Sequence, residues 1–228
     1  MEDVVKDLIK SVLHTKVNIF DELMGAFHRY TSQSVHSLQE MKTIQTTKVK
    51  GDLFEMVCKL LLEQEFENVW LLKELPVDVR EKLTLTKRDM GIDLVVQDKK
   101  GHYSAVQCKY KNPYKKGKVP GTTIIRREQV NFDELCTFLV LCERSGPWKT
   151  YIVMTNGTGI RRVGRRSTKD CSRCLKWFQK TSIDTWYKIA GMEGQTLKEK
   201  NDEDDTQEKN VDINEKRLQY FRENGISH

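Results

Sequence analysis

The chain has no apolar run of membrane-spanning length. It also lacks the uninterrupted apolar core of a secretory leader, because Glu2, Asp3, Lys6 and Asp7 break up its first residues. A soluble, intracellular protein with no membrane partner is expected, with cytoplasm and nucleus both open. The six cysteines, Cys58, Cys108, Cys136, Cys142, Cys171 and Cys174, are then expected as reduced thiols. The second half of a zinc site is also missing. Cys171 and Cys174 have Cys-x-x-Cys spacing in a basic loop, but no further Cys-x-x-Cys or nearby His pair accompanies them. A structural zinc would need Cys136, Cys142 or a distant His to approach, so the pair reads as two free thiols. The other four cysteines, in apolar surroundings, read as small core residues.

Acidic residues are absent between Lys109 and Arg127, where Lys109, Lys111, Lys115, Lys116, Lys118, Arg126 and Arg127 gather. A second basic block holds Arg161, Arg162, Arg165, Arg166, Lys169, Arg173, Lys176 and Lys180, with Asp170 as its lone acid. The 228-residue chain carries a formal charge of +6 and a pI near 8.9, so the distribution says more than the total. Both blocks could track phosphates, and solvated loops would have the same composition. The interleaved rings of Tyr110, Tyr114, Trp177 and Phe178 suit stacking on bases, and core packing explains Trp177 and Phe178 as well.

The length allows one good core with additions at its ends. Residues 1–48 read as a helical N-terminal extension. Val4, Val5, Leu8, Ile9, Val12 and Leu13 mark one helix, Ile19, Phe20, Leu23, Met24 and Phe27 a second, and Ser32–Met41 a weaker third, followed by a polar link over 43–48. A central domain is expected over 49–192. Its first element is an amphipathic helix over 50–66, with Leu53, Phe54, Val57, Leu60 and Leu61 inward and Glu55 at the margin. A strand at 69–73, a partly helical connection at 76–85, a helix over 124–141, a buried strand at 151–154 and a helix over 183–192 follow, with a mobile basic loop over 112–121. Residues 193–228 read as an acidic linker and a short terminal helix.

Between 86 and 111 lies the stretch TKRDMGIDLVVQDKKGHYSAVQCKYK. Ile92–Gln97 and His102–Tyr110 read as two antiparallel strands joined by a turn over 98–101. Alternation turns Gln107 and Lys109 to one face, and the antiparallel return brings Asp93 to the same end. A carboxylate, an amide oxygen and an ammonium at one place suit metal-assisted phosphodiester cleavage: hard oxygens hold a divalent cation, and the ammonium steadies developing charge.

The wording D-x-G-I-D before one strand and Q-x-K at the end of the next resembles the Mrr-like branch of the PD-(D/E)XK nuclease superfamily. Asp89, Gly91, Asp93, Gln107 and Lys109 carry the resemblance, and Gly51 and Glu55 match the helix that opens the family's catalytic domain. It implies an α/β, restriction-endonuclease-like core, a mixed sheet flanked by helices. It further implies a DNA endonuclease that leaves a 5′ phosphate. On this resemblance Asp93, Gln107 and Glu55 hold one Mg²⁺, with Mn²⁺ able to substitute, and Lys109 stabilises or orients the attacking hydroxide. Asp89 is either a supporting ligand or a turn cap, and Gln129 could face the cleft. Implied partners are DNA, a second copy of the chain, and a fused or associated helicase or other DNA-processing protein. A junction-resolving or repair nuclease would use the same residues, and a non-cutting DNA-binding module could share the fold.

Overall fold

Apolar residues at helical spacing give each of the first three helices one inward side. In α1 (Glu2–Val12) these are Val5, Ile9 and Val12, and in α2 (Ile19–Gln33) they are Phe20, Leu23, Met24 and Phe27. Both pack against α3 (Thr46–Leu62), whose Leu53, Phe54, Val57, Leu60 and Leu61 are buried. The computed structural model describes residues 1–33, 46–86, 91–112, 115–116, 125–126, 128–161 and 170–192. Ser32 and Gln33, expected to open a third helix, instead end α2, and the rest of that expectation, 34–41, lies outside the described residues. Thr46–Lys48, expected in a link, start α3, since no Gly or Pro interrupts the helix there.

β1 (Asn68–Leu71) leads through a 3-10 turn and α4 (Val77–Lys82) into the hairpin of β2 (Leu94–Gln97) and β3 (Tyr103–Lys109). The hairpin register sets Leu94 against Val106 and Gln97 against Tyr103. Asp98 holds its turn: Lys149 donates to the carboxylate at 2.6 Å, and the backbone N–H groups of His102 and Lys100 donate at 2.9 Å each. Lys149 above all, then these N–H groups, keep the Asp98 carboxyl well below the usual carboxylate range.

Two short pairs follow, β4 (Lys115–Lys116) with β5 (Ile125–Arg126), and β6 (Val130–Asn131) with β8 (Ile160–Arg161). β7 (Thr150–Thr155) and β9 (Asp170–Arg173) complete a five-stranded sheet of order β1-β2-β3-β7-β9. Its first two pairings are antiparallel and its last two parallel, so the sheet is mixed. α3 contacts one side of this sheet. A second apolar cluster joins Leu83, Ile92, Val95, Ala105, Tyr151 and Val153 to Phe138. Complete burial of a side chain such as Phe138 stabilises by about 1.5–3 kcal/mol.

The helix expected over 124–141 is corrected. Ile125–Arg126 and Val130–Asn131 are extended, a 3-10 turn covers Phe132–Leu135, and α5 runs only over Cys136–Arg144. Val130, fully buried, is taken by pairing with Ile160, and Asn131 then starts the helical path. Its side chain accepts from the Glu134 backbone N–H, while the Glu134 carboxylate accepts from Asn131 N–H at 2.9 Å, a reciprocal cap. This phase turns Phe138 and Cys142 inward and leaves Cys136 exposed, against its expected place in the core.

The loop expected around Cys171 is partly regular too. Asp170–Arg173 is an edge strand parallel to β7, and α6 (Leu175–Gln179) and α7 (Ile183–Ile189) follow it. Residues Met1–Ala190 form one compact unit; the acidic linker and terminal helix expected over 193–228 lie outside the described residues. No helix among the described residues is long and apolar enough to cross a membrane.

Candidate active site

Asp93 sits where the chain enters β2, tied on both sides. Its N–H donates to Val106 O and its carbonyl accepts from Leu72 N–H, each at 2.9 Å. Oδ2 of its carboxylate accepts from the Cys108 backbone N–H at 2.6 Å and from Nε2 of Gln107. The carboxylate therefore lies against the end of β3, and Gln107, 4% exposed, is held in the sheet interior. Gly91 makes room for this arrangement. Its φ of +107° is one that side-chain-bearing residues rarely adopt, and a Cβ there would lie 3.2 Å from Phe138 N and 3.3 Å from Oε1 of Gln107.

Glu55, from α3, lines one cavity of about 370 Å³ with Asp93. Lys48, Asp52 and Lys73 also line it. Asp52 was not singled out from the sequence, although its place one turn before Glu55 puts both carboxylates on the same side of the helix. Cys58, the next turn of α3, hydrogen-bonds to Cys108, and burial raises the pKa of both thiols. As expected, they are small, protonated core residues.

Lys109 ends β3 opposite Thr155, half-buried, two residues beyond Gln107 and so on the same side of the strand. Lys111, expected among the phosphate contacts, donates instead to both carboxylate oxygens of Glu134 at 2.6 Å. Burial alone would raise the Glu134 carboxyl, but the hydrogen bonds from Lys111 and Asn131 N–H, and the charges of Lys111 and Lys109, outweigh it and bring its pKa below the ordinary value. Lys109 and Lys111 thus share one carboxylate neighbour that sequence spacing did not reveal.

Of the other expected residues, Gln129 and Arg161 are exposed, and Lys115, Lys116 and Arg126 fall in the β4–β5 pair. Asp89, Lys118, Arg127, Arg162, Arg165 and Arg166 lie outside the described residues. Two rings considered for base stacking pack against the protein's own rings, Phe178 fully buried and Tyr110 partly so. Phe178 stacks on Phe20 with ring centroids 4.5 Å apart, and Tyr110 meets Phe54 edge-on at 6.0 Å. Arg173 covers Trp177 at 4.6 Å and pairs with both Glu65 oxygens at 3.0 and 2.7 Å, which removes it from any free basic surface.

The donor set around Asp93 is oxygen-rich: carboxylates from Asp52, Glu55 and Asp93 line one cavity, beside the Gln107 amide. Among the described residues no three His, Cys, Asp or Glu side chains converge closely enough to enclose a metal. Oxygen donors of this kind suit a hard divalent cation.

Residues 60–124 match the family model of a restriction endonuclease of the Mrr catalytic type. This stretch is similar to a restriction endonuclease domain. It contains Asp93, Gln107 and Lys109, while Glu55 lies just upstream of it. The five-stranded mixed sheet flanked by helices is likewise restriction-endonuclease-like. No curated protein and no solved structure matches the chain. The match supports a nuclease, and a nuclease domain implies DNA as its substrate.

Proposed function

We propose that the chain is a divalent-cation-dependent DNA endonuclease of the Mrr-like restriction type, with Asp93, Gln107, Glu55 and Lys109 as its reacting set. One observation carries this reading: Asp93 touches Gln107 and shares a cavity with Glu55, within or beside the matched segment. On this reading residues 49–192 form the nuclease domain and 1–48 its helical extension. A site of this kind cuts one strand, so severing a duplex calls for a second copy of the chain or a second binding event.

Asp93 and Glu55 would hold the cation through carboxylate oxygens. Gln107 now turns Nε2 to Asp93, and rotation about its terminal torsion exchanges nitrogen for oxygen and completes the set. A bound Mg²⁺ would supply Lewis-acid stabilisation of charge on the scissile phosphate and a water that ionises more readily. Lys109 offers its ammonium to the same developing charge. Asp52 could hold water on the helix side of the cavity, and Asp89 stays a proposed supporting ligand.

A Mg²⁺ titration of plasmid cleavage for the parent, Gln107→Glu and Gln107→Leu tests the ligand set. The Glu variant is expected to cut at lower Mg²⁺, because its added charge tightens binding, and the Leu variant to need more Mg²⁺ or fail to cut. A Leu variant that matches the parent throughout would remove Gln107 from the site.

The basic blocks are tested separately. Removing Arg161, Arg162, Arg165 and Arg166 together is expected to weaken DNA binding and flatten its salt dependence by about one unit of slope per lost phosphate contact. An unchanged slope would assign that block to another role.

A further inference from the structure

β3 stops pairing with β7 at Lys109, opposite Thr155, yet the chain beyond it stays fixed. The Thr155 hydroxyl donates to Lys109 O at 2.7 Å and accepts from Gly157 N–H at 3.0 Å. Asn156 then stands in for the next strand residue: its Oδ1 accepts from Lys111 N–H at 2.6 Å and its Nδ2 donates to Lys111 O at 2.7 Å. Both side chains are buried, Thr155 at 0% and Asn156 at 2% exposure. Gly157 admits a further backbone strand, since a Cβ there would lie 2.3 Å from Glu128 O. That segment runs on to Glu134, which holds the Lys111 ammonium. The backbone from the Lys109 carbonyl to Lys111 is thus pinned by side chains of Thr155 and Asn156, and the Lys111 side chain is pinned by Glu134.

We propose that Thr155 and Asn156 are positioning residues for the nuclease reaction, fixing the exit of β3 so that the Lys109 ammonium meets the developing phosphate charge. This deepens the nuclease reading of Asp93, Gln107 and Lys109 and rests on it. A hydrophobic pair would end the sheet without desolvating three polar side-chain atoms, so these buried groups are explained by the geometry they enforce. Displacement of a catalytic group by about 1 Å is enough to cost up to about a hundredfold in rate, which makes a clamp two bonds from the Lys109 Cα visible in kinetics.

The test compares the parent, Thr155→Val, Thr155→Ser and Asn156→Asp, with Lys109→Ala as reference. It measures the cleavage rate at saturating DNA and Mg²⁺, DNA affinity in Ca²⁺, and the melting temperature, with all assays run below the lowest melting point. Thr155→Val keeps the shape and loses the hydroxyl. It is expected to cut about tenfold or more slowly, with affinity within about twofold of the parent. Thr155→Ser keeps the hydroxyl and is expected to retain most of the rate. Asn156→Asp keeps the acceptor for Lys111 N–H but sets a carboxylate against Lys111 O, and is expected to slow cleavage as well. A Thr155→Val protein that cuts at the parent rate, or loses affinity as much as rate, overturns the proposal, as does a Ser variant no faster than Val. If the parent cuts and Lys109→Ala does not, the nuclease reading stands whatever these variants do. If the parent cuts no DNA, that reading fails and the proposal falls with it.

Discussion

Asp93→Ala and Lys109→Ala are each expected to lower the rate of plasmid cleavage by about a hundredfold or more, the scale on which a group stabilising transition-state charge is lost. DNA affinity should change little, because Asp93 lies outside the basic blocks and the loss of Lys109 leaves the other six basic residues of its block in place. The two losses differ in kind. Without the Asp93 carboxylate, the Cys108 N–H and the Gln107 amide lose their shared acceptor and the cation loses a ligand, so raising Mg²⁺ should recover part of the rate. Without Lys109 the cation site is intact, so extra Mg²⁺ should recover nothing. Single-turnover cleavage across a Mg²⁺ series separates the two, and parent-like cutting by either variant would take that residue out of the mechanism.

Gly91→Ala is expected to destabilise the fold by about 1–3 kcal/mol, the usual range for backbone strain at a conformation that L residues avoid. In a chain of this size that lowers the melting temperature by roughly 2–12 °C. Cleavage should fall beyond what the lost stability explains, because the new methyl would press on Oε1 of Gln107 and on the first turns of α5 at Phe138 N. Thermal melting and cleavage measured on the same preparation check both parts. Unchanged melting together with unchanged cleavage would mean that the glycine's φ is not needed.

The hairpin and the opening helix were legible because their signals are local. Alternation along β3 and the spacing of Leu53, Val57 and Leu60 on α3 each follow from a single period, and both elements formed, α3 over Thr46–Leu62 rather than 50–66. The approach of Asp93 to Gln107 followed from antiparallel return alone. The segment before α5 was not legible in this way. Val130 fits a helical run as well as an extended one, and only pairing with Ile160, remote in sequence, decides for the strand. β9 was hidden for the same reason: a short, charged edge strand has little apolar pattern, and its partner β7 supplies the reason it is extended.

The site divides along the same line. Asp93, Gln107, Lys109 and Glu55 could be named from a motif, but their supports could not. Thr155, Asn156 and Glu134 act on Lys109 and Lys111 across separations of 46, 45 and 23 residues, so no spacing rule connects them. Charge composition did not show the partners of Lys111 and Arg173, because a basic residue in a run reads as free surface until its carboxylate neighbour, Glu134 or Glu65, is seen beside it.

The most direct measurement incubates supercoiled plasmid with the unmodified chain in Mg²⁺, in Mn²⁺ and in EDTA, alongside Asp93→Ala in Mg²⁺. Nicked or linear product is predicted with Mg²⁺ or Mn²⁺ and the unmodified chain, with supercoiled DNA persisting in EDTA and with the variant. Intact plasmid in every condition, or equal cutting in EDTA, would contradict a divalent-cation-dependent endonuclease centred on Asp93.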